Sequence, residues 1–134
     1  MSRLLQEPKG KSIYQISVNG VSNYLEAQSA PETNRYVFAY TITLTNTGQI
    51  AARLEDRHWI IIDGEGATQE VRGRGVVGEE PLLEPGEIFT YSSASQISTV
   101  FGTMKGSYGM LASDGTRFKA SVPSFRLAIP NALH

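Results

Sequence analysis

Arg35-Tyr36-Val37-Phe38-Ala39-Tyr40-Thr41-Ile42-Thr43-Leu44-Thr45 decides the fold class. Tyr36, Phe38, Tyr40, Ile42 and Leu44 fall on one face of an extended chain, and Arg35, Val37, Ala39, Thr41, Thr43 and Thr45 on the other. Strict period two is the mark of a half-buried strand, because successive side chains leave a strand on opposite sides. Asn46-Thr47-Gly48 then turns the chain. The stretch from Ile50 to Ile62 is long for one strand, and Arg53-Leu54-Glu55-Asp56 reads as a bulged or edge portion of it. Asp63-Gly64-Glu65-Gly66 is a tight turn in which both glycines can take positive φ, and Thr68 to Arg72 returns.

The same signals recur on both sides. Ile13 to Val18 reads as a strand stopped by Asn19-Gly20, with Val21 to Ala27 running back beside it and Ala30 to Asn34 as a loop. Downstream, Glu84-Pro85-Gly86 is a turn and Glu87 to Ala94 a strand. Thr103 to Ala112 and Arg117 to Val122 flank the hairpin signal Ser113-Asp114-Gly115-Thr116, and Ser124 to Ile129 is a last extended piece. A brief helix has room only at Met1 to Lys11, where Pro8 and Gly10 weaken it. Seven or more short strands with frequent turns predict an all-β antiparallel sandwich. Residues 1–12 read as a flexible N-terminal lead-in, 13–130 as a single domain and 131–134 as a tail.

Composition narrows the function. The 134 residues fit one domain, and 40% hydrophobic residues with no long apolar run give a core without a membrane span. The N-terminus carries Arg3, Glu7, Lys9 and Lys11 and lacks the apolar centre of a signal peptide, so a cytoplasmic location is expected. With no cysteine there is no disulfide and no thiolate chemistry. A net charge of −1 supplies no basic field, which argues against nucleic acid as a partner.

Glu70-Val71-Arg72-Gly73-Arg74-Gly75-Val76-Val77-Gly78-Glu79-Glu80-Pro81 contains a G-x-G-x-x-G spacing. In a dinucleotide fold that pattern joins a strand to a helix whose N-terminus holds phosphate. Here Pro81, Pro85 and Gly86 prevent any helix from following. Two readings stay open. Gly73, Gly75 and Gly78 shape a structural or protein-contacting loop, or their N–H groups, with Arg72 and Arg74, bind pyrophosphate or a nucleotide. Glu79 and Glu80 oppose an anion.

Arg57-His58-Trp59 is the second candidate. Arg57 and Trp59 share one face of a strand and His58 takes the other. His58 or Arg57 could combine with Asp56, Asp63 or Glu65 as a metal or catalytic group; the plainer reading puts Trp59 in the core beside Ile61 and His58 on the rim. Two histidines, one of them His134, and no cysteine supply a transition metal poorly. Asp63, Glu65 and Glu70 come without a nucleophile and an orienting group, and Asp63 is more simply a turn former. Arg53, Arg57, Arg72 and Arg74 cluster if their strands pair, interleaved with Glu55, Asp56 and Glu70 as cross-strand ion pairs. Met104, Tyr108 and Met110 lie at even spacing on one face, as core or as an adaptable binding surface.

A longer series of residues resembles the ApaG family. It comprises Arg57-His58-Trp59, Asp63, Glu70-Val71-Arg72-Gly73-x-Gly75-Val76-Val77-Gly78-x-x-Pro81, Leu83-x-Pro85-Gly86, Tyr91, Gly102-x-Met104-x-Gly106-x-Tyr108-x-Met110 and Phe118-x-x-x-Val122-Pro123-x-Phe125-x-Leu127. The resemblance runs from about Tyr14 onward. It implies an immunoglobulin/fibronectin type III-like β-sandwich and a small bacterial protein associated genetically with cobalt resistance and with magnesium and cobalt efflux. It also implies similarity to interaction domains appended to some eukaryotic F-box proteins and to a protein that binds a DNA polymerase subunit. No enzyme activity comes with it, and no cofactor or metal site is expected. The expectation is a non-catalytic module for an unknown protein partner, with Arg72, Gly73, Arg74, Gly75 and Gly78 as its loop and Arg57 and His58 beside it. A phosphate-containing ligand at that loop is the alternative, and free sheet edges allow a homodimer.

Overall fold

The computed structural model describes residues 12–130. But for Ser12, the expected lead-in and the tail lie outside the described residues, as does the helix considered at Met1 to Lys11. The strands are β1 (Ile16–Tyr24), β2 (Tyr36–Asn46), β3 (Ala52–Asp63), β4 (Thr68–Arg74), β5 (Leu82–Leu83), β6 (Ile88–Ile97), β7 (Phe101–Ala112) and β8 (Arg117–Ala128). Among the described residues the only helical pieces are 3-10 turns at Glu26–Gln28 and Pro31–Thr33. A three-stranded sheet in the order β1-β2-β6 faces a five-stranded sheet in the order β4-β3-β7-β8, with β5 added to β3. All pairings are antiparallel, so the chain is the expected all-β sandwich.

β2 keeps its alternation: Phe38, Ile42 and Leu44 are fully buried. At its end Asn46 is buried yet fully paired. Its Nδ2 donates to the carbonyls of Ile50 and Leu83, and its Oδ1 accepts the Gly48 N–H at 2.8 Å. That satisfied side chain converts the strand end into the predicted turn.

Four local expectations change. Asn19-Gly20 is no turn: β1 runs straight through it, Asn19 opposite Thr43 and Gly20 opposite Ile42. Gly20 is there because a Cβ would stand 2.7 Å from the Phe125 ring. The bulge in β3 exists, as a register shift between Leu54 and Asp56, but β3 lies inside its sheet between β4 and β7. Gly66 alone takes positive φ in the Asp63 turn, while Gly64 sits against Phe101. Ser124 to Ile129 is no separate piece, because β8 continues to Ala128, absorbing Pro123 at a bulge on an edge strand.

The sheets meet on Trp59. Its ring lies edge-on to Tyr40 (5.5 Å between centroids), Tyr108 (6.0 Å) and Phe125 (6.1 Å). Met104, Tyr108 and Met110 are all core. Tyr108 is fully buried, and its hydroxyl meets that of Tyr91 at 2.6 Å across the sandwich.

That buried phenol pair gives a double prediction. Tyr91→Phe leaves the Tyr108 hydroxyl without its partner and should cost about 1–3 kcal/mol, whereas the double phenylalanine variant should cost less than the sum of the singles. Urea unfolding of the four proteins measures this, and strict additivity would show that the bond contributes nothing. Burial pushes the Tyr91 phenol up from 10.0 to about 12 and raises Tyr108 as well. Both raise the folded-state pKa, so this stability is complete below the unfolded phenol value of about 10 and should be lost as the pH climbs toward 12.

Candidate functional site

The two long sides of the sandwich differ. On one, β1 and β8 lie together, and Ser22 Oγ donates to the Arg126 carbonyl at 2.6 Å. On the other, β4 and β6 stand apart around a mouth floored by Tyr40, Trp59, Ile61 and Met104. The cleft there measures about 400 Å³, and a second recess of about 300 Å³ adjoins it, sharing Tyr40, Arg57 and Ser93. At one end Gln69 Nε2 crosses from β4 to donate to the Gln96 carbonyl at 3.0 Å. At the other end stands the Val76–Gly78 segment.

Arg57 enters this mouth because β3 alternation places it on the same face as Trp59. Its Nη1 donates to the carbonyls of Arg74 (3.0 Å) and Gly75 (2.9 Å). The guanidinium lies over Gly73, where a Cβ would come within 2.8 Å of it. Gly73 is thus a residue of β4 paired with Arg57, and the loop begins only after Arg74. Among the described residues no carboxylate forms an ion pair with Arg57. Trp59 is 3% exposed, and its Nε1–H has no hydrogen-bond partner among the described residues. Sequence reasoning placed Trp59 in the core, and nothing in its spacing signalled an orphaned donor.

The glycine motif forms a miniature hairpin. Gly75 N–H donates to the Glu55 carbonyl, and Val76 and Glu79 exchange N–H···O bonds at 2.8 and 2.9 Å. The two residues between them are left-handed, Val77 at φ 42° and Gly78 at φ 83°. A glycine takes this geometry freely, whereas a β-branched residue does not. Gly75 at φ 61° could not be replaced either, since a Cβ would run into the Glu79 carbonyl. Val76 is buried as a plug, so its neighbour Val77 is held outward at 57% exposure.

The other expected residues lie on the outer face of the same sheet. His58 Nε2 meets Glu70 Oε2 at 2.6 Å, and Arg72 reaches the same oxygen at 3.2 Å. The His58 hydrogen bond holds the Glu70 carboxyl below its usual range. Arg74 pairs with Glu80 at 3.0 Å, and Arg53 donates to the Glu80 carbonyl. Two of the four arginines, Arg72 and Arg74, are thus paired with glutamates, while Arg53 and Arg57 bond backbone carbonyls; Arg57, His58, Arg72, Gly73 and Arg74 together line a shallow recess of about 480 Å³. His58 does not join Asp56, Asp63 or Glu65. Asp63 instead accepts the N–H groups of Glu65 and Ala67, which lowers its pKa. Among the described residues no three metal-ligating side chains gather, and no helix is long and apolar enough to cross a membrane.

The family model for the ApaG domain matches residues 26–112. Protein ApaG of Azoarcus sp. (strain BH72) is 60% identical over 90% of this chain and 95% of its own length. Protein ApaG of Aromatoleum aromaticum is 56% identical over the same shares. A crystal structure of a Bordetella pertussis protein provisionally called ApaA superposes with a TM-score of 0.87 at 45% identity, covering 91% of this chain and 99% of that one.

The strain at Val77 is measurable. Val77→Gly should stabilise the protein by about 1 kcal/mol, because glycine relieves the left-handed backbone and the valine side chain given up is 57% exposed. Chemical denaturation checks this, and a destabilised Val77→Gly would mean that the side chain is held by contacts after all.

Proposed function

The chain belongs to the ApaG domain family, and we propose that it works as a non-catalytic protein-interaction module of the cytoplasm. Its contact surface is the Gly73–Pro81 segment with Arg72 and Arg74, together with the neighbouring Arg57 and His58. One observation carries the reading: Val77, a β-branched apolar side chain, is held outward in a conformation that costs energy. Strain at an exposed tip is retained where a partner uses it. The flanking arginines supply anchors of the kind enriched at interfaces. A resemblance-based link to cobalt resistance and to magnesium and cobalt efflux is then an effect exerted through the partner. That fits a surface on which His58 and Glu70 pair with each other and Asp63 accepts backbone N–H groups.

Pyrophosphate or nucleotide binding at the same loop is the second reading. Arg57 and Arg74 border one recess with Val77 and Gly78, which favours it. The N–H groups of Gly75 and Val76 are already committed to backbone carbonyls, which weakens an anion nest built from them.

The test is complementation. In a host deleted for this chain and challenged with cobalt, the wild type should restore growth. Val77→Asp and the Arg72→Ala/Arg74→Ala double variant should not, although both melt like the wild type. Full rescue by both variants would remove this surface from the account. Saturable amide shifts confined to Arg72–Gly78 on titration with sub-millimolar pyrophosphate would replace the module reading with the anion reading.

A further inference from the structure

The four edge strands of the two sheets are not equally protected. β4 carries Glu70, Arg72 and Arg74; β8 carries Arg117, Lys119, Pro123 and Arg126. β1 has no charge, but β8 covers it. β6 runs Ile-Phe-Thr-Tyr-Ser-Ser-Ala-Ser-Gln-Ile, without one charged residue or proline, and among the described residues no strand pairs with its second side. Charge, proline and bulges are the usual guards against strand pairing, and β6 has none of them. The Gln96 carbonyl faces this free side, since it accepts Gln69 Nε2. The two-residue alternation of an antiparallel ladder turns the peptide groups of Ala94 and Ser92 the same way.

The mouth behind that edge is lined by a cation without a counter-charge and by a tryptophan with an unanswered donor. Among the described residues Arg57, half-buried, bonds only carbonyls, and the buried Trp59 Nε1–H has no acceptor. Ser93 borders both recesses beside Arg57, and its small side chain leaves the way open. We propose that β6 takes an extended acidic segment of another protein as a fourth strand of its sheet, with a carboxylate of that segment received by Arg57 inside the mouth. Main-chain bonds to β6 supply affinity, and the inward carboxylate supplies selection. A second copy pairing β6 to β6 would bring no carboxylate, because β6 contains none. The inference rests on the module reading and adds its mode and chemistry.

The probes are peptides of about eight residues, alternating valine and threonine, with one glutamate scanned through the sequence, and their glutamine and lysine counterparts. Trp59 is the single tryptophan and lines the cleft, so its fluorescence reports occupancy. A glutamate peptide should bind at least about tenfold more tightly than its glutamine twin, with the lysine peptide weakest. Arg57→Gln should erase that difference. Ala94→Pro, which removes an outward N–H, should weaken the glutamate and glutamine peptides alike.

Each other result overturns the proposal. Equal binding of the three peptides removes the role of Arg57. Binding untouched by Ala94→Pro removes strand addition, and glutarate binding as tightly as the peptide makes the ligand a free acid. A dimer that Ala94→Pro dissolves, seen by sedimentation, makes the occupant a second copy. No saturable binding up to about 1 mM ends it outright. The assay does not use the Val77 tip, so its failure leaves the module reading to stand or fall on the cobalt experiment.

Discussion

The sandwich depends on one aromatic side chain being let in from both sides. Trp59 spans the space between the sheets opposite Gly106 on β7, where a Cβ would run into the His58 carbonyl and also stand 3.1 Å from the indole ring. From the other sheet Tyr40 presents its ring edge, and Phe125 completes the enclosure after passing over Gly20. Aromatic contacts of this kind carry large buried areas and fixed geometry. The same anchoring sets the mouth. Since β3 must turn Trp59 inward, it turns Arg57 inward two residues earlier, and the cation must find its place at the edge of the core. Two carbonyls and the bare backbone of Gly73 provide that place.

Much of this was legible from residues alone. Period two in β2, the Ser113–Thr116 hairpin and the irregularity near Arg53–Asp56 were readable because each is local chemistry: side-chain alternation, turn formers, a break in pattern. The shared face of Arg57 and Trp59 followed from strand geometry. Glycine was the source of error. Asn19-Gly20 carries a turn signature and lies mid-strand; Gly73 belongs to a loop motif and lies in β4. In both cases glycine serves a ring or a guanidinium that arrives from far along the chain, and no local pattern encodes a visitor. Residues 57, 58, 72 and 74 cluster because β3 pairs with β4, and all four line one recess; alternation carries the Arg57 side chain on toward the core, which strand pairing alone does not reveal.

The hairpin at Val76–Gly78 shows the reverse relation between sequence and function. The spacing of its glycines suggested a phosphate cradle, and the backbone makes it a turn whose inner N–H groups are spent on itself. What it offers outward is a valine rather than a ring of donors. A glycine motif is therefore better read through where its hydrogen bonds go than through its spacing.

The closure of β1 against β8 has a consequence in time. The Ser22 to Arg126 bond joins residues 104 positions apart, and Tyr14 reaches Asp114 across 100. Contacts so distant in sequence are slow to form, because the loop between them must close before they return anything. On the ribosome the chain makes its first strand, free of charge along its length, long before the strand that will shield it. Until β8 emerges, β1 is paired on the β2 side at most and otherwise open to neighbours. The most vulnerable moment of this protein thus falls late in its own synthesis, and a chain cut short before Arg117 keeps that exposed edge for good.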